Sequence, residues 1–238
     1  EAAFEQSCER LGTARIDIVY VHDIGAYTHG DDNDRHMAEL MGSGIDRLQT
    51  LKAAGRIGAF GLGVNENRVC LDIMAETEID VILLAGRLTL LDRSAEAELV
   101  PLCREKQVSL VLGGIFNSGI LATGPVPGAH YDYGPAPDDI LARVEALQDR
   151  AEAAGVSLAE AALRFALTHP QAAFVDGNFV DDGIWASEVH MLKDARCKFW
   201  TGSTLVAKYF AFVRNKYRLT GRYIVDPRIA QYVERDGL

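Results

Sequence analysis

Five short stretches of this chain are apolar with little or no alternation: IDIVYV from residue 16, AFGLGV from 59, IDVILLAG from 79, VSLVLGG from 108 and AAFV from 172. A strand with one wet face alternates apolar and polar residues, because successive side chains point to opposite faces. Strands that are apolar throughout belong in parallel sheets covered on both sides. Helical patterns separate the five. AAFEQSCERL ends at Gly12, and GSGIDRLQTLKAAGRI carries Ile45, Leu48 and Leu51 on one stripe and stops at Gly55. NENRVCLDIMAET, RSAEAELVPLCREKQ, PDDILARVEALQDRAEAAG and SLAEAALRFALTH read as four more helices. Asp138 or Asp139 opens the first of the last two, and a Ser157–Glu160 capping box opens the second.

Strand–helix repetition with short connections implies right-handed βαβ units. Two architectures fit: a piece of an eight-fold βα barrel, or an open five-stranded doubly wound sheet. The second needs G-x-G-x-x-G opening a helix after the first strand. Gly61-Leu62-Gly63 comes nearest, but Glu66 stands in the third glycine's place. The expected fold is therefore α/β, a partial (β/α)8 barrel of about strands four to eight, followed by a divergent, mainly helical C-terminal segment.

The chain has 238 residues, and no apolar run approaches the roughly 20 needed to span a bilayer. No signal peptide is expected. Cys8, Cys70, Cys103 and Cys197 are far apart with no C-x-x-C pair, which points to buried thiols in a reducing cytoplasm rather than to zinc or disulfides. Charge divides the chain. Residues 1–170 hold 14 basic and 26 acidic residues, whereas 171–238 hold 10 and 8. Together with the lost rhythm after residue 176, this sets a boundary between a body, 1–176, and a basic, aromatic segment, 177–238.

Barrel chemistry sits at the C-terminal ends of the strands, so the residues just after each apolar run carry the functional expectation. His22 and Asp23 follow the first run. A histidine there is either a satisfied structural residue or an acid–base group awaiting a partner. Asn65 offers an amide that donates and accepts at once, or else caps the next helix. GGIFNSG, 113–119, allows backbone N–H groups to approach a phosphate, or is merely a glycine-rich turn. The loop AYTHGDDNDRH spaces its histidines from His22 by sevens, yet lacks the D-x-D-x-D-G pattern of a hard-cation loop. It is expected to be an irregular, solvated loop with no metal.

RIDIVYVHDIGAYTHG, LKAAGRIGAFGLGVNE, IDVILLAGRLTLLDRS and LVLGGIFNSGILATG through SLAEAALRFALTHPQ together resemble the aldo-keto reductases. The resemblance is to the branch of D-threo-aldose 1-dehydrogenase, L-fucose dehydrogenase and pyridoxal 4-dehydrogenase, over residues 5–171. It implies NAD(P)-dependent hydride transfer to or from a sugar hemiacetal or aldehyde, with His22 as the histidine of an Asp-Tyr-Lys-His tetrad. It further implies that Asn65 holds the nicotinamide carboxamide and that Gly114, Phe116 and Ser118 belong to the loop that wraps the pyrophosphate. Ala85 and Gly113 stand where the family has Gln and Tyr. The family's Asp, Tyr and Lys lie on three strands preceding those read here, so this chain alone is expected to turn over its substrate very weakly or not at all.

Two further readings compete. One is a non-catalytic binding protein using the basic residues from Lys193 to Arg222, interleaved with Phe199, Trp200, Tyr209, Phe210, Tyr217 and Tyr223. Such a pattern suits single-stranded nucleic acid or an anionic membrane surface. The more favoured reading of it is a basic amphipathic helix docked on the acidic body, so a nucleic-acid partner is not expected. The other is a metal-dependent hydrolase using His22 and Asp23, for which later strand ends supply no further ligands. The oligomeric state is left open.

Overall fold

The computed structural model describes residues 2–175, 199–201 and 223–225. The five apolar runs form the strands β1 (Ile16–His22), β2 (Ile57–Val64), β3 (Val81–Ala85), β4 (Ser109–Gly113) and β7 (Ala172–Val175). They lie in one sheet in the order β1-β2-β3-β4-β7. Strands that neighbour in space as they do in sequence are the order of a βα barrel; a doubly wound sheet reverses direction partway across. β1 and β2 are parallel, with Ile16 opposite Ile57 and His22 opposite Gly63. β2 and β3 are parallel, with Gly61 opposite Val81. Gly61 and Gly63 are thus strand residues. Neither opens a phosphate-binding helix.

The connections carry α1 (Ala2–Leu11), α4 (Ile45–Ala53), α5 (Asn67–Glu76), α6 (Leu99–Glu105), α8 (Asp138–Ala153) and α9 (Leu158–Thr168). α1 and α4 stop at glycines in left-handed backbone, Gly12 at φ 64° and Gly55 at φ 68°. Ser157 caps α9, its Oγ accepting from the Glu160 N–H at 3.1 Å. α8 is capped otherwise than expected: it starts at Asp138 after Pro137, with no side-chain cap bond. The helix expected over 93–107 is shorter. Pro101 has no N–H to give the previous turn, so α6 begins at Leu99, where that proline falls in the first turn.

Two expectations are corrected. β1 is not buried. Ile18 is 41% exposed and His22 lies open; among the described residues β1 stands at the end of the strand order and pairs with β2 alone. The loop AYTHGDDNDRH is not irregular either. It folds as α2 (Ala26–His29), a 3-10 turn (Gly30–Asp32) and α3 (Asn33–Glu39), followed by a π turn (Leu40–Gly44). The run of Asp31, Asn33 and Asp34 supplies side chains that suit helix starts better than open loop.

The described contacts divide the chain into two compact units: residues up to Arg87 with Ser94–Val111, and Leu88–Arg93 with Leu112 onward. In the first, Ile57, Leu62, Ile73, Met74 and Ile82 are buried, and Asp80 ties several elements. Its Oδ2 accepts from the Phe60 N–H at 3.0 Å, its Oδ1 pairs with Lys52 Nζ at 2.5 Å, and its carbonyl accepts from the Ser109 N–H at 3.0 Å. In the second, Leu112, Ile120, Leu121, Val144 and Leu163 form the core.

In the C-terminal segment Phe199–Thr201 and Tyr223–Val225 pair as two short parallel strands. The basic amphipathic helix expected there, with all the basic residues from Lys193 to Arg222, falls outside the described residues. Among the described residues no helix is long and apolar enough to cross a membrane.

Cys8, Cys70 and Cys103 are buried thiols. Burial pushes the Cys70 thiol well above its ordinary range, with the Cys103 thiol and the Glu66 carboxylate adding to the effect. Burial likewise raises Cys103, to about 12. Both thiols are expected to resist iodoacetamide at pH 8 until the chain unfolds. Folded thiols hold protons that the unfolded chain releases from its ordinary value of 9.0 upward. Their contribution to stability is therefore complete below pH 9 and lost as pH rises from 9 toward 12, so denaturant midpoints should fall across that window.

Candidate active site

Elements of the first unit set His22 at the end of β1. Its side chain is 79% exposed, with Nδ1 3.2 Å from Asp23 Oδ2. The backbone explains the exposure. Asp23 adopts φ 53° and donates its N–H to the Gly63 carbonyl at 2.8 Å, so the chain turns out of the sheet while still fastened to β2. Ile24 turns back into the core at 5% exposure. Gly25 follows at φ 139°, where a Cβ would lie 1.4 Å from Glu66 Oε1. The Glu66 carboxylate occupies that space and accepts the Tyr27 N–H at 3.4 Å. The loop after His22 is thus fastened to the end of β2 at Gly63 and again at Glu66.

Asn65 stands between those fastenings, half-buried. It does not cap α5, whose N-cap is Glu66. Its carbonyl accepts from Arg87 Nε at 2.6 Å, and the Arg87 guanidinium lies 5.8 Å from the centre of the Tyr27 ring. The ends of β1, β2 and β3 therefore converge on one small cluster: His22, Asp23, Tyr27, Asn65, Glu66 and Arg87.

The second unit holds the loop after β4. Gly114 (φ 57°), Asn117 (φ 47°), Ser118 (φ 60°) and Gly119 (φ 94°) are all left-handed. Such backbone is readily adopted by glycine, tolerated by asparagine and unfavourable for serine. A buried polar pair fixes it. Asn117 is 5% exposed and Thr89 not at all. The Thr89 hydroxyl donates to Asn117 Oδ1 at 2.5 Å and accepts the N–H groups of Leu91 at 3.2 Å and Asp92 at 2.8 Å. Phe116 points into the core at 5% exposure, which leaves its backbone rather than its ring for a ligand. Ser118 is exposed, and its Oγ accepts the Tyr133 N–H at 3.0 Å. Gly114, Phe116 and Ser118 lie in this one loop.

Glu66, Arg87 and Asn117 stand at strand ends but were given no role from the sequence, and Thr89 was not singled out at all. Thr89 and Asn117 did carry a signal, being polar residues inside runs (LTLL and IFNSG) whose neighbours are core-like. The expected absence of a metal rests on the loop's spacing. In the structure the rings of His29 and His36 are 4.1 Å apart, and His36 Nε2 lies 3.3 Å from Arg35 Nη2. Among the described residues no three His, Cys, Asp or Glu side chains could hold an ion together.

The Aldo/keto reductase family model matches residues 1–176. Pyridoxal 4-dehydrogenase of Microbacterium luteolum is 45% identical over 168 residues, which are 70% of this chain and 49% of that protein. D-threo-aldose 1-dehydrogenase of Pseudomonas sp is 33% identical over 168 residues, 70% and 48% of the two chains. The chain therefore spans about half the length of the curated relatives it matches. Among solved structures, the holo form of aldo-keto reductase AKR11C1 from Bacillus halodurans superposes with a TM-score of 0.54 at 26% identity, covering 73% of this chain and 54% of that one.

Proposed function

Because the chain belongs to the aldo/keto reductase family, we propose that it is the catalytic-histidine and coenzyme-loop portion of an NAD(P)-dependent oxidoreductase acting on a sugar hemiacetal or an aldehyde. The observation that carries this reading is the cluster at the ends of β1, β2 and β3, with an exposed histidine on it. The residues fit a dinucleotide. The loop after β4 has glycine at Gly114, where backbone can come close to a phosphate, and an exposed hydroxyl at Ser118. When bound, the coenzyme supplies the hydride-carrying carbon.

The chain's own residues hold and orient. Asp23 beside Nδ1 favours the tautomer with its proton on that nitrogen, so Nε2 of His22 is the atom free to hydrogen-bond a carbonyl or hydroxyl oxygen. Arg87 takes the Asn65 carbonyl, which steadies the Asn65 side-chain amide to receive the nicotinamide carboxamide. Gly114 and Phe116 act through backbone and Ser118 through its hydroxyl. Residues 1–176 form the reductase portion and 177–238 a separate segment. The buried, unpaired thiols support a cytoplasmic setting.

Fluorescence titration of NADH and NADPH with the folded chain tests the reading. Saturable binding of either is expected, and none by a sample with intact circular dichroism would refute it.

A further inference from the structure

Tyr133 is a residue that folding alone does not explain. It sits at the tip of a two-residue hairpin between β5 (His130–Tyr131) and β6 (Gly134–Pro135). Asp132 at φ 50° and Tyr133 at φ 67° make the turn left-handed at both central positions, the geometry that favours Asn-Gly or Asp-Gly. Asp132 suits it. A tyrosine does not, because a bulky side chain in left-handed backbone is strained. Nor does burial compensate, since Tyr133 is 75% exposed.

The turn is nonetheless held firmly. The Tyr133 N–H donates to Ser118 Oγ at 3.0 Å, and the Tyr131 hydroxyl donates to Asp92 Oδ2 at 3.2 Å. Asp92 is part of the turn closed on Thr89, the residue that fixes Asn117. A hairpin anchored at its base and at its tip therefore presents one strained, open phenol ring beside the loop of Gly114 and Ser118. Accepting from Tyr133 leaves the Ser118 hydroxyl its own proton to donate.

We propose that Tyr133 is a ligand-stacking residue, and that its strained position serves to lay its ring against a planar heteroaromatic ring of the dinucleotide. This rests on the coenzyme reading above. Stacking on an exposed aromatic tolerates different ring types and depends on the π face rather than on the hydroxyl.

The test uses the full 238-residue chain with Tyr133→Phe, Tyr133→Leu and Tyr133→Gly. Each is titrated against NADH and NADPH by fluorescence polarisation and melted without ligand. All three keep the backbone N–H that binds Ser118. The expected result is parental affinity for the Phe variant and about tenfold weaker binding for Leu and Gly, with the Gly variant melting no lower than the parent. A structural residue would behave oppositely, lowering the melting temperature of the Gly variant and leaving affinity alone. Parental affinity in the Leu and Gly variants would overturn the proposal while leaving the coenzyme reading intact. Failure of the parent to bind either dinucleotide would remove both. Competition with AMP and with nicotinamide mononucleotide distinguishes the two rings: the competitor that loses potency against the Gly variant carries the stacked one.

Discussion

Gly61→Ala is expected to abolish folding or to cost at least about 3 kcal/mol. A methyl group at that position would lie 1.6 Å from the Val81 carbonyl oxygen and 2.7 Å from its carbon. Those are backbone atoms of the strand directly opposite, so no side-chain rotation relieves the overlap. The only escape is to part β2 from β3, and that exposes Leu62, Ile82 and Leu84, all buried at 0% exposure. Expression yield and urea unfolding of the variant give the reading. A well-folded Gly61→Ala with a midpoint near the parent's would show that the β2–β3 register is wrong. The neighbouring Gly63 is the natural control: a Cβ there meets nothing closer than 3.5 Å, so Gly63→Ala should be far milder.

Thr89→Val is expected to cost roughly 3 kcal/mol or more, though it changes the volume of the side chain hardly at all. The loss is of hydrogen bonds. Asn117 Oδ1 loses its donor, and the Leu91 and Asp92 N–H groups lose an acceptor. A buried polar group left without a partner costs about 1–3 kcal/mol, and here up to three are affected. Asn117 also stands in left-handed backbone that this bond helps to hold, so the loop from Gly114 to Gly119 should loosen in the same variant. Urea midpoints measure the first effect and hydrogen exchange over residues 112–121 the second. Thr89→Ser keeps the hydroxyl and should recover most of both. A Val variant as stable as the parent would show that the Thr89–Asn117 bond does not fix the loop.

The chain's own pattern specified the strands well, since all five unalternating runs became strands of one sheet and fell in sequential order. Alternation reports how many faces of a strand are covered, which is why the parallel sheet was legible. It does not report the position of a strand within a sheet. IDIVYV has the composition of a central strand and yet, among the described residues, stands at the end of the strand order, with Ile18 open. Polar stretches misled in the other direction. Asp and Asn between two histidines read as loop, but the same residues lie in short helical turns, none of them held by a side-chain cap bond. The site divides likewise. Strand-end position marked His22, Asn65 and the glycine loop, because those residues need only be at the mouth of a strand. Glu66, Arg87 and Thr89 act through partners 22 to 39 residues distant in sequence, from the Tyr27 N–H to the Asn65 and Asn117 groups, and such pairings exist only once the fold brings them together.

Asp80 shows how that bringing-together can be checked by the chain itself. Its carboxylate and carbonyl complete their bonds only when Phe60, Lys52 and Ser109 have all arrived, from a strand, a helix and a further strand. Slide β3 by one residue along β2 and the carboxylate turns to the opposite face, leaving the Phe60 N–H and Lys52 unmatched together. One aspartate thus marks the native alignment of β2 and β3 twice over, through a strand N–H and a helix lysine, while its carbonyl binds the next strand.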